Sequence, residues 1–310
     1  MVIGMDVGGT TARIRVADRH GRVLCEAEDQ GGTLPGIGRE ELERRLGRLI
    51  RHALSVSGKT PEDCERLCIG ASGVDTDEER GVYEEILNGL GFAEDRIMVI
   101  NDAELLVRMF ETPAAVLISG TGSIAVGRNA QTGRIVRCGG WEHLLSDEGS
   151  ATWLGMEILR AYVRLCDRRG EDTVFTELVE ARTGFRCAQD AVDFCAQHIM
   201  EKADIAALAP LLEEGTARGS QVCRGILQSG AEELICLAAP LVHEITEDGA
   251  FTLLLWGSVL LKNRTMQESV AERAHRAWKQ VSVCIPACTA LDCAVLLARG
   301  EKTMPLTVIG

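Results

Sequence analysis

The chain opens with Met1-Val2-Ile3-Gly4-Met5-Asp6-Val7-Gly8-Gly9-Thr10-Thr11, an apolar segment that carries one acid into a Gly-Gly-Thr-Thr turn. The apolar run predicts a β-strand that ends near the acid. Two glycines allow a tight turn and a close approach to a ligand, and threonines offer hydroxyl and peptide N–H groups to anionic oxygens. The segment fits a phosphate-binding hairpin and an ordinary β-turn equally well, so its meaning depends on the rest of the chain.

Composition places the protein among ordinary globular chains. Its 310 residues are 46% hydrophobic and 25% charged but only 4% aromatic, so Leu, Ile, Val, Ala and Cys must form the cores. This length favours two domains around a cleft. A net charge of −13 argues against nucleic acid or an anionic membrane as the main partner, since both require a basic surface.

The apolar segments and the cysteine spacings indicate the cellular location of the protein and the redox state of its thiols. No stretch resembles a secretory leader or approaches about eighteen consecutive apolar residues, so we expect a cytoplasmic protein without a membrane partner. Twelve cysteines without a C-x-x-C spacing are typical of reduced thiols rather than of a small disulfide scaffold.

The order of apolar segments predicts a duplicated α/β fold. Strand-like segments at 2–6, 12–17 and 22–28 are followed by alternating helices and strands, which gives the order βββαβαβα. The pattern restarts near residue 114. We therefore predict a first domain at 1–113, completed by a closing helix at about 290–310. A second domain would span 114–289 and carry a helical insert at about 150–249.

Two further features add chemistry to the opening turn. Ser119-Gly120-Thr121-Gly122-Ser123 is a second Gly-Thr turn, and two such turns in duplicated halves would clamp a polyphosphate from both sides. Between them, the apolar run 97–100 delivers Asp102 to the carboxyl end of a strand, where α/β enzymes place their chemistry. The alternative interpretation is that Asp102 serves only as a helix N-cap.

These segments belong to a set of motifs that resembles, in order, the N-acetylglucosamine kinase family of BadF/BadG-type ATPases. That family lies in the superfamily of sugar kinases, actin and heat-shock chaperone ATPases. The matching motifs are Asp6-Val7-Gly8-Gly9-Thr10, Asn101-Asp102-Ala103, Leu117-Ile118-Ser119-Gly120-Thr121-Gly122-Ser123, Gly139-Gly140-Trp141, Ser146-Asp147-Glu148-Gly149-Ser150-Ala151 and Leu255-Trp256-Gly257-Ser258-Val259. The resemblance implies two ribonuclease H-like domains around a nucleotide cleft, with the helical insert in the second.

The resemblance also implies roles for the nucleotide machinery. Asp102 would be the general base for the sugar hydroxyl, and Asp6 would hold Mg²⁺ and its waters. ATP would be bound by Gly8, Gly9, Thr10, Thr11, Gly120, Thr121, Gly122, Gly257 and Ser258. Phosphoryl transfer depends on positioning and charge neutralisation more than on covalent chemistry, so turns, one metal ion and one carboxylate suffice.

The sugar side is implied less completely. The residues predicted to bind the sugar are Gly73, Asp102, Gly140, Trp141, Glu142 and Asp147. Trp141 alternatively fills a core gap, and Asp147 with Glu148 alternatively complements the dipole of the following helix. The sequence departs from the family pattern at Leu34, Glu142 and Ser146, which leaves N-acetylglucosamine, another amino sugar or a related polyol as substrate.

The sequence therefore predicts an ATP-dependent kinase that phosphorylates a hydroxyl of N-acetylglucosamine or a related amino sugar. We also expect a homodimer. Two alternatives share the fold: an ATPase activator of an iron–sulfur dehydratase or reductase, and a sugar-sensing regulator. The activator requires cysteines presented together at a dimer interface, whereas the twelve here are scattered. The regulator would need a DNA-binding segment, and no basic helix-turn-helix pattern is evident.

Overall fold

The computed structural model describes residues 1–247 and 249–309, which divide into two compact units. Unit 1 consists of Met1–Glu111 and Pro286–Pro305. Unit 2 consists of Thr112–Ile285 and the last strand of the chain. Each unit contains its own β-sheet and its own hydrophobic core.

Unit 1 is built on a mixed sheet. Its strands are β1 (Val2–Val7), β2 (Thr11–Ala17), β3 (Val23–Gln30), β4 (Arg66–Ala71) and β5 (Ile97–Asn101). Its first four helices are α1 (Leu34–Ile37), α2 (Arg39–Ser57), α3 (Asp77–Gly89) and α4 (Asp102–Val107), with 3₁₀ turns at Pro61–Asp63 and Glu94–Arg96. Within the described residues the strand order is β3-β2-β1-β4-β5. β1, β2 and β3 form an antiparallel meander, whereas β1, β4 and β5 run parallel.

Unit 2 repeats this topology and adds helices to it. Its first strands are β6 (Ala114–Ser119), β7 (Ser123–Arg128) and β8 (Ile135–Gly139), and its later strands are β9 (Phe251–Trp256), β10 (Val281–Pro286) and β11 (Leu306–Val308). The helices between β8 and β9 are α5 (Ala151–Cys166), α6 (Thr173–Thr183), α7 (Ala188–His198), α8 (Lys202–Ala206), α9 (Leu211–Ala217) and α10 (Gln221–Ile245). α11 (Ser258–Lys262) and α12 (Arg264–Ala277) follow β9. In the part of unit 2 that is described, the strand order is β11-β10-β9-β6-β7-β8, so the predicted duplication is confirmed.

The end of the chain differs from the prediction. Helix α13 (Ala290–Ala298) packs on β1 in unit 1, where a Cβ added at Gly4 would lie 2.6 Å from Val295. The prediction also assigned everything up to residue 310 to the first domain. Instead, Leu306–Val308 lies beside β10 in the second sheet, and the Ile309 N–H donates to the Val283 carbonyl at 2.8 Å. The free backbone groups along the edge of β10 explain this placement.

The longest helix, α10, is a core helix of unit 2. By length and composition alone it is apolar enough to cross a membrane, which the sequence analysis did not anticipate. Half of its most apolar window is buried inside the unit, and it packs against α9, α12 and β7. Core helices of soluble proteins meet the same criterion, so this helix is weak evidence for a membrane span.

Candidate active site

The parallel strands of unit 1 bring two acids to the same edge of the sheet. In the strand register Asp6 lies opposite Gly70, and Gly70 lies opposite Ile100. Neighbouring strands are about 4.8 Å apart, so the ends of β1 and β5 are separated by roughly 10 Å. Asp102 follows β5 directly as the first residue of α4. The charge of Asp6 contributes to the raised pKa of Asp102, as expected for carboxylates on one edge.

Asp102 is a partly buried acid at the start of α4. The N-cap of α4 is Asn101, whose side-chain oxygen accepts the Ala103 N–H at 2.9 Å, so the interpretation of Asp102 as the N-cap is wrong. Burial raises the pKa of Asp102 to about 6, opposed by a hydrogen bond from the Ala103 N–H and assisted by Asp6 and Asp75. A carboxylate with a pKa closer to neutral accepts a proton more readily than an ordinary aspartate.

Asp6 is a partly buried carboxylate at the end of β1. Its side chain is 24% exposed. Arg13 lies opposite it on the neighbouring strand β2, with Nη1 3.9 Å from Asp6 Oδ2. Burial raises the pKa of Asp6, and the Arg13 charge opposes that shift. A nearby divalent cation stabilises the ionised form of a carboxylate that burial disfavours. Mg²⁺ prefers oxygen ligands, which proteins supply together with water and phosphate. The donor at this position therefore fits Mg²⁺.

The opening Gly-Thr turn presents free backbone donors. The Gly8 N–H donates to the Thr11 carbonyl at 2.9 Å, whereas the N–H groups of Gly9 and Thr10 have no acceptor within the described residues. Neither glycine adopts a left-handed backbone conformation, so the turn itself does not require glycine there. A Cβ added at Gly9 would meet no atom within 4 Å. Glycine at this position leaves space for a ligand to approach the backbone of the turn closely.

The second Gly-Thr turn also presents free backbone donors, and hydrogen bonds from the start of α5 support it. The Gly120 N–H donates to the Gly122 carbonyl at 2.9 Å, and a Cβ at Gly120 would meet nothing within 4 Å. Three groups at the start of α5 donate to the turn: the Ala151 N–H to the Gly120 carbonyl at 2.8 Å, and the hydroxyl and N–H of Thr152 to the Thr121 carbonyl at 2.7 and 3.3 Å. In the described part of the chain, the N–H groups of Thr121 and Gly122 lack an acceptor.

Gly257 holds the end of β9 against this turn. Its φ is +92°, and an added Cβ would lie 2.3 Å from the Ser119 carbonyl oxygen. This position therefore requires glycine both for its backbone conformation and for the close approach. The exposed Ser258 follows as the first residue of α11.

A cavity of about 310 Å³ lies beside Ser258 in unit 2. Its lining includes Ala151, Leu154, Ala206, Pro210, Ser258 and Val259. The sequence predicts Ser258 as a binding residue but not Ala206 or Pro210, which line the same cavity. Small apolar residues in a helical insert carry no motif, so no signal in the sequence marks them as lining a site.

Trp141 stands on the surface of unit 2 after two glycines with positive φ. Gly139 and Gly140 have φ of +75° and +72°. The Trp141 side chain is 63% exposed, so the interpretation that it fills a core gap is wrong. The Arg137 guanidinium lies 4.7 Å from the centre of the Trp141 ring and holds one face of it by a cation–π contact.

Asp147 lies behind the second Gly-Thr turn. It is 3% exposed, and its Oδ1 accepts the Ser123 N–H at 3.2 Å. A Cβ at Gly122 would be 2.8 Å from Oδ2, so glycine is needed there to admit the carboxylate. Lys202 contacts the Glu142 carboxylate and lies 3.9 Å from Asp147 Oδ2. Burial raises the pKa of Asp147, whereas the Ser123 N–H and Lys202 oppose that shift.

The acids before α5 do not serve the helix dipole. α5 begins at Ala151, its N-cap is Ser150, and its first turn contains no acid. Asp147 instead adopts φ +66° and points to the turn. The alternative interpretation of Asp147 and Glu148 as helix-terminal acids is therefore wrong.

Gly73, one of the residues predicted to bind the sugar, packs against the segment that begins at Thr33 in unit 1. Gly73, with φ +76°, follows β4, and its added Cβ would lie 3.3 Å from Thr33 and 3.6 Å from Pro35. Thr33 caps the short helix α1 by accepting the Gly36 N–H at 3.2 Å. Leu34, one of the departures from the family pattern, is the first residue of that helix.

Known proteins resemble the chain over nearly its whole length. A model of the BadF/BadG/BcrA/BcrD ATPase family matches residues 3–298. The N-acetylmuramic acid/N-acetylglucosamine kinase of Clostridium acetobutylicum is 28% identical over 303 residues, which cover 97% of this chain and 98% of the relative. These matches confirm the resemblance predicted from the motifs.

Two solved structures share the fold. A candidate N-acetylglucosamine kinase from Chromobacterium violaceum superposes with a TM-score of 0.75 at 23% identity, covering 96% of this chain and 98% of that one. A ROK family glucokinase from Streptomyces griseus, solved with glucose and AMPPNP, has a TM-score of 0.60 at 15% identity, covering 97% and 99%. At these identities the likeness establishes the architecture.

Proposed function

We propose, from the premise that this chain belongs to the BadF/BadG/BcrA/BcrD ATPase family, that it is an ATP-dependent kinase of amino sugars. The substrates we favour are N-acetylglucosamine and N-acetylmuramic acid, because the relative from Clostridium acetobutylicum is named for both. The carrying observation is the pair of Gly-Thr turns, one in each unit, whose tips present peptide N–H groups without acceptors in the described chain.

We propose that each of these tips is a phosphate-binding element for ATP. The free donors are the N–H groups of Gly9 and Thr10 in unit 1, and of Thr121 and Gly122 in unit 2. Consecutive backbone N–H groups in a turn form an anion-binding concavity, which provides local positive potential in a chain whose net charge is −13. The cavity beside Ser258 has the size and the mostly apolar lining that adenosine requires.

Asp6 would hold Mg²⁺ through its carboxylate. The bound cation would neutralise charge on the β- and γ-phosphates and would relieve the burial penalty that raises the pKa of Asp6. Arg13, 3.9 Å away, partly compensates the same carboxylate.

Asp102 would act on the sugar. As the sugar oxygen bonds to the γ-phosphorus, the bond from that phosphorus to the bridging oxygen of ADP breaks, and the hydroxyl proton passes to Asp102. A pKa of about 6 keeps Asp102 ionised at neutral pH while making it a stronger base than an ordinary aspartate. The proton then leaves to solvent after the phosphorylated sugar departs.

Each unit contains its own candidate residues for binding the sugar. The exposed ring of Trp141, held by Arg137, offers a flat apolar surface of the kind that packs on sugar rings. In unit 1 the turn at Gly73 packs closely against the segment that begins at Thr33, and together they would form one side of the sugar pocket. Asp147 supports the second turn through Ser123, which is a structural contribution beside its predicted contact with sugar hydroxyls.

The substitution Asp102→Asn tests this proposal. We expect kcat for the sugar-dependent reaction to fall by about 10²–10⁴-fold, because the amide cannot accept the proton. Binding of a nonhydrolysable ATP analogue, measured by calorimetry, should stay close to that of the parent protein. The matched control is Glu104→Gln on the same helix, whose carboxylate pairs with Arg108. Undiminished turnover of Asp102→Asn would overturn the assignment of the base.

A coupled assay of ADP release tests the substrate. N-acetylglucosamine and N-acetylmuramic acid should stimulate ADP release more than glucose or glucosamine. The homodimer expected from the sequence stays a prediction, and light scattering coupled to size-exclusion chromatography measures it.

A further inference from the structure

Two cysteines meet at the start of helix α13 in unit 1. Cys288 Sγ lies 3.7 Å from Cys293 Sγ. Thr289 is the N-cap of α13, and a capping box with Asp292 fixes the first turn. Cys288 precedes the cap and Cys293 follows it by four residues, which are the two positions whose side chains pack together in a hydrophobic staple. The contact is therefore built into the helix start.

The two thiols have different surroundings. Cys288 is partly exposed, whereas Cys293 is fully buried and its Sγ lies 3.8 Å from the Met304 sulfur. The pKa of Cys288 is below its usual value because of its hydrogen bond with the Cys293 thiol, which outweighs burial and the charge of Asp292. That same contact, together with burial, raises the pKa of Cys293. The accessible sulfur is thus the one that ionises more readily, as in reactive thiols at helix N-termini.

We propose that Cys288 and Cys293 form a site of reversible thiol oxidation that closes to a disulfide when a peroxide is the oxidant. The Cys288 thiolate attacks one peroxide oxygen, the O–O bond breaks, and a sulfenic acid and hydroxide form. The Cys293 sulfur then attacks the oxidised sulfur of Cys288. The S–S bond forms as the S–O bond breaks, and the Cys293 proton leaves with the oxygen as water.

The geometry favours the second step. The two sulfurs need to approach from 3.7 Å to about 2.05 Å, and rotation of the partly exposed Cys288 side chain provides that movement. The sulfenic acid would form in contact with its resolving thiol, so closure should outpace further oxidation. A thiol reductant would reopen the pair.

Peptide mapping tests the site without reference to the kinase reaction. Native protein is treated with hydrogen peroxide, then denatured, alkylated with iodoacetamide and digested with trypsin. Cleavage after Lys279 and Arg299 yields a peptide that contains Cys284, Cys288 and Cys293. We expect this peptide to lose two hydrogen atoms, with Cys288 and Cys293 unalkylated, and to regain both alkyl groups after reduction.

Three variants make the result specific. Cys284→Ser is the matched control and should still form the disulfide. Cys293→Ser should stop at a sulfenic acid on Cys288 that dimedone traps, and Cys288→Ser should leave Cys293 fully alkylated. Circular dichroism checks that each variant is folded, and Cys→Ala replacements repeat the test if a serine variant is not. The proposal is overturned if Cys288 and Cys293 remain alkylated while the exposed Cys166, Cys187 and Cys236 become oxidised, or if Cys288 pairs with Cys284.

Discussion

Replacing Gly257 by alanine should destabilise unit 2 strongly. Its φ of +92° and ψ of 161° lie in a backbone region that is nearly restricted to glycine, and holding an L residue there costs about 1–2 kcal/mol. The new Cβ would also lie 2.3 Å from the Ser119 carbonyl oxygen, a backbone atom that cannot rotate away. Forcing the two segments apart adds about 1–3 kcal/mol, as in other overpacked sites. The sum is about 2–5 kcal/mol of unfolding free energy.

Thermal unfolding monitored by circular dichroism measures this effect. A loss of that size lowers Tm by roughly 5–15 °C for a unit of this length. The matched control is Gly120→Ala in the neighbouring turn, whose backbone is not left-handed and whose Cβ would meet no atom within 4 Å. Gly120→Ala should change the unfolding free energy by no more than about 0.5 kcal/mol.

The same control separates stability from ligand binding. If phosphate approaches the second turn closely, the methyl group of Gly120→Ala should weaken ATP binding by about tenfold, or about 1.4 kcal/mol. The reasoning is refuted if Gly257→Ala unfolds at the Tm of the parent protein. It is equally refuted if Gly120→Ala loses as much stability as Gly257→Ala.

Three further predictions concern the titration of Asp102 and the exposed ring of Trp141. Below about pH 6 the sugar-dependent kcat/KM should fall about tenfold per pH unit, because protonated Asp102 cannot accept the hydroxyl proton; a flat profile would contradict this. Folding raises the pKa of Asp102 from 3.8 to about 6 and so disfavours its ionised form, which means that Asp102→Asn should raise the unfolding free energy at about pH 8. That gain should shrink as the pH falls below 6 and should vanish below the unfolded pKa of 3.8, where the carboxyl is protonated in both states; urea titrations at several pH values measure it. Trp141→Ala should leave Tm nearly unchanged, since the ring is 63% exposed, but should raise KM for the sugar; an unchanged KM would exclude Trp141 from the sugar site.

The sequence predicted the fold because its signals are local. Apolar runs that end in turns mark the strands, and the restart at Ala114 marks the duplication confirmed by the two matching strand orders. Asp6 and Asp102 were identifiable for the same reason, since each stands at the end of a parallel strand.

The parts that sequence reasoning missed depend on tertiary contacts. Asp147 packs against Gly122, which lies 25 residues earlier in the chain. The backbone of Asp147 has a positive φ there, and no local sequence pattern predicts it. Lys202 reaches Asp147 from a helical insert without a motif. Leu306–Val308 joins the second sheet because β10 offers an open edge, which is a property of the assembled sheet rather than of the segment.

The central claim is that this chain transfers phosphate from ATP to an amino sugar. The most direct test incubates the protein with ATP, Mg²⁺ and N-acetylglucosamine and quantifies both ADP and phosphorylated sugar by mass spectrometry. We predict one phosphorylated sugar for each ADP formed, and very little ADP when the sugar is omitted. ADP that forms at the same rate without sugar, or without any phosphorylated product, would contradict the claim.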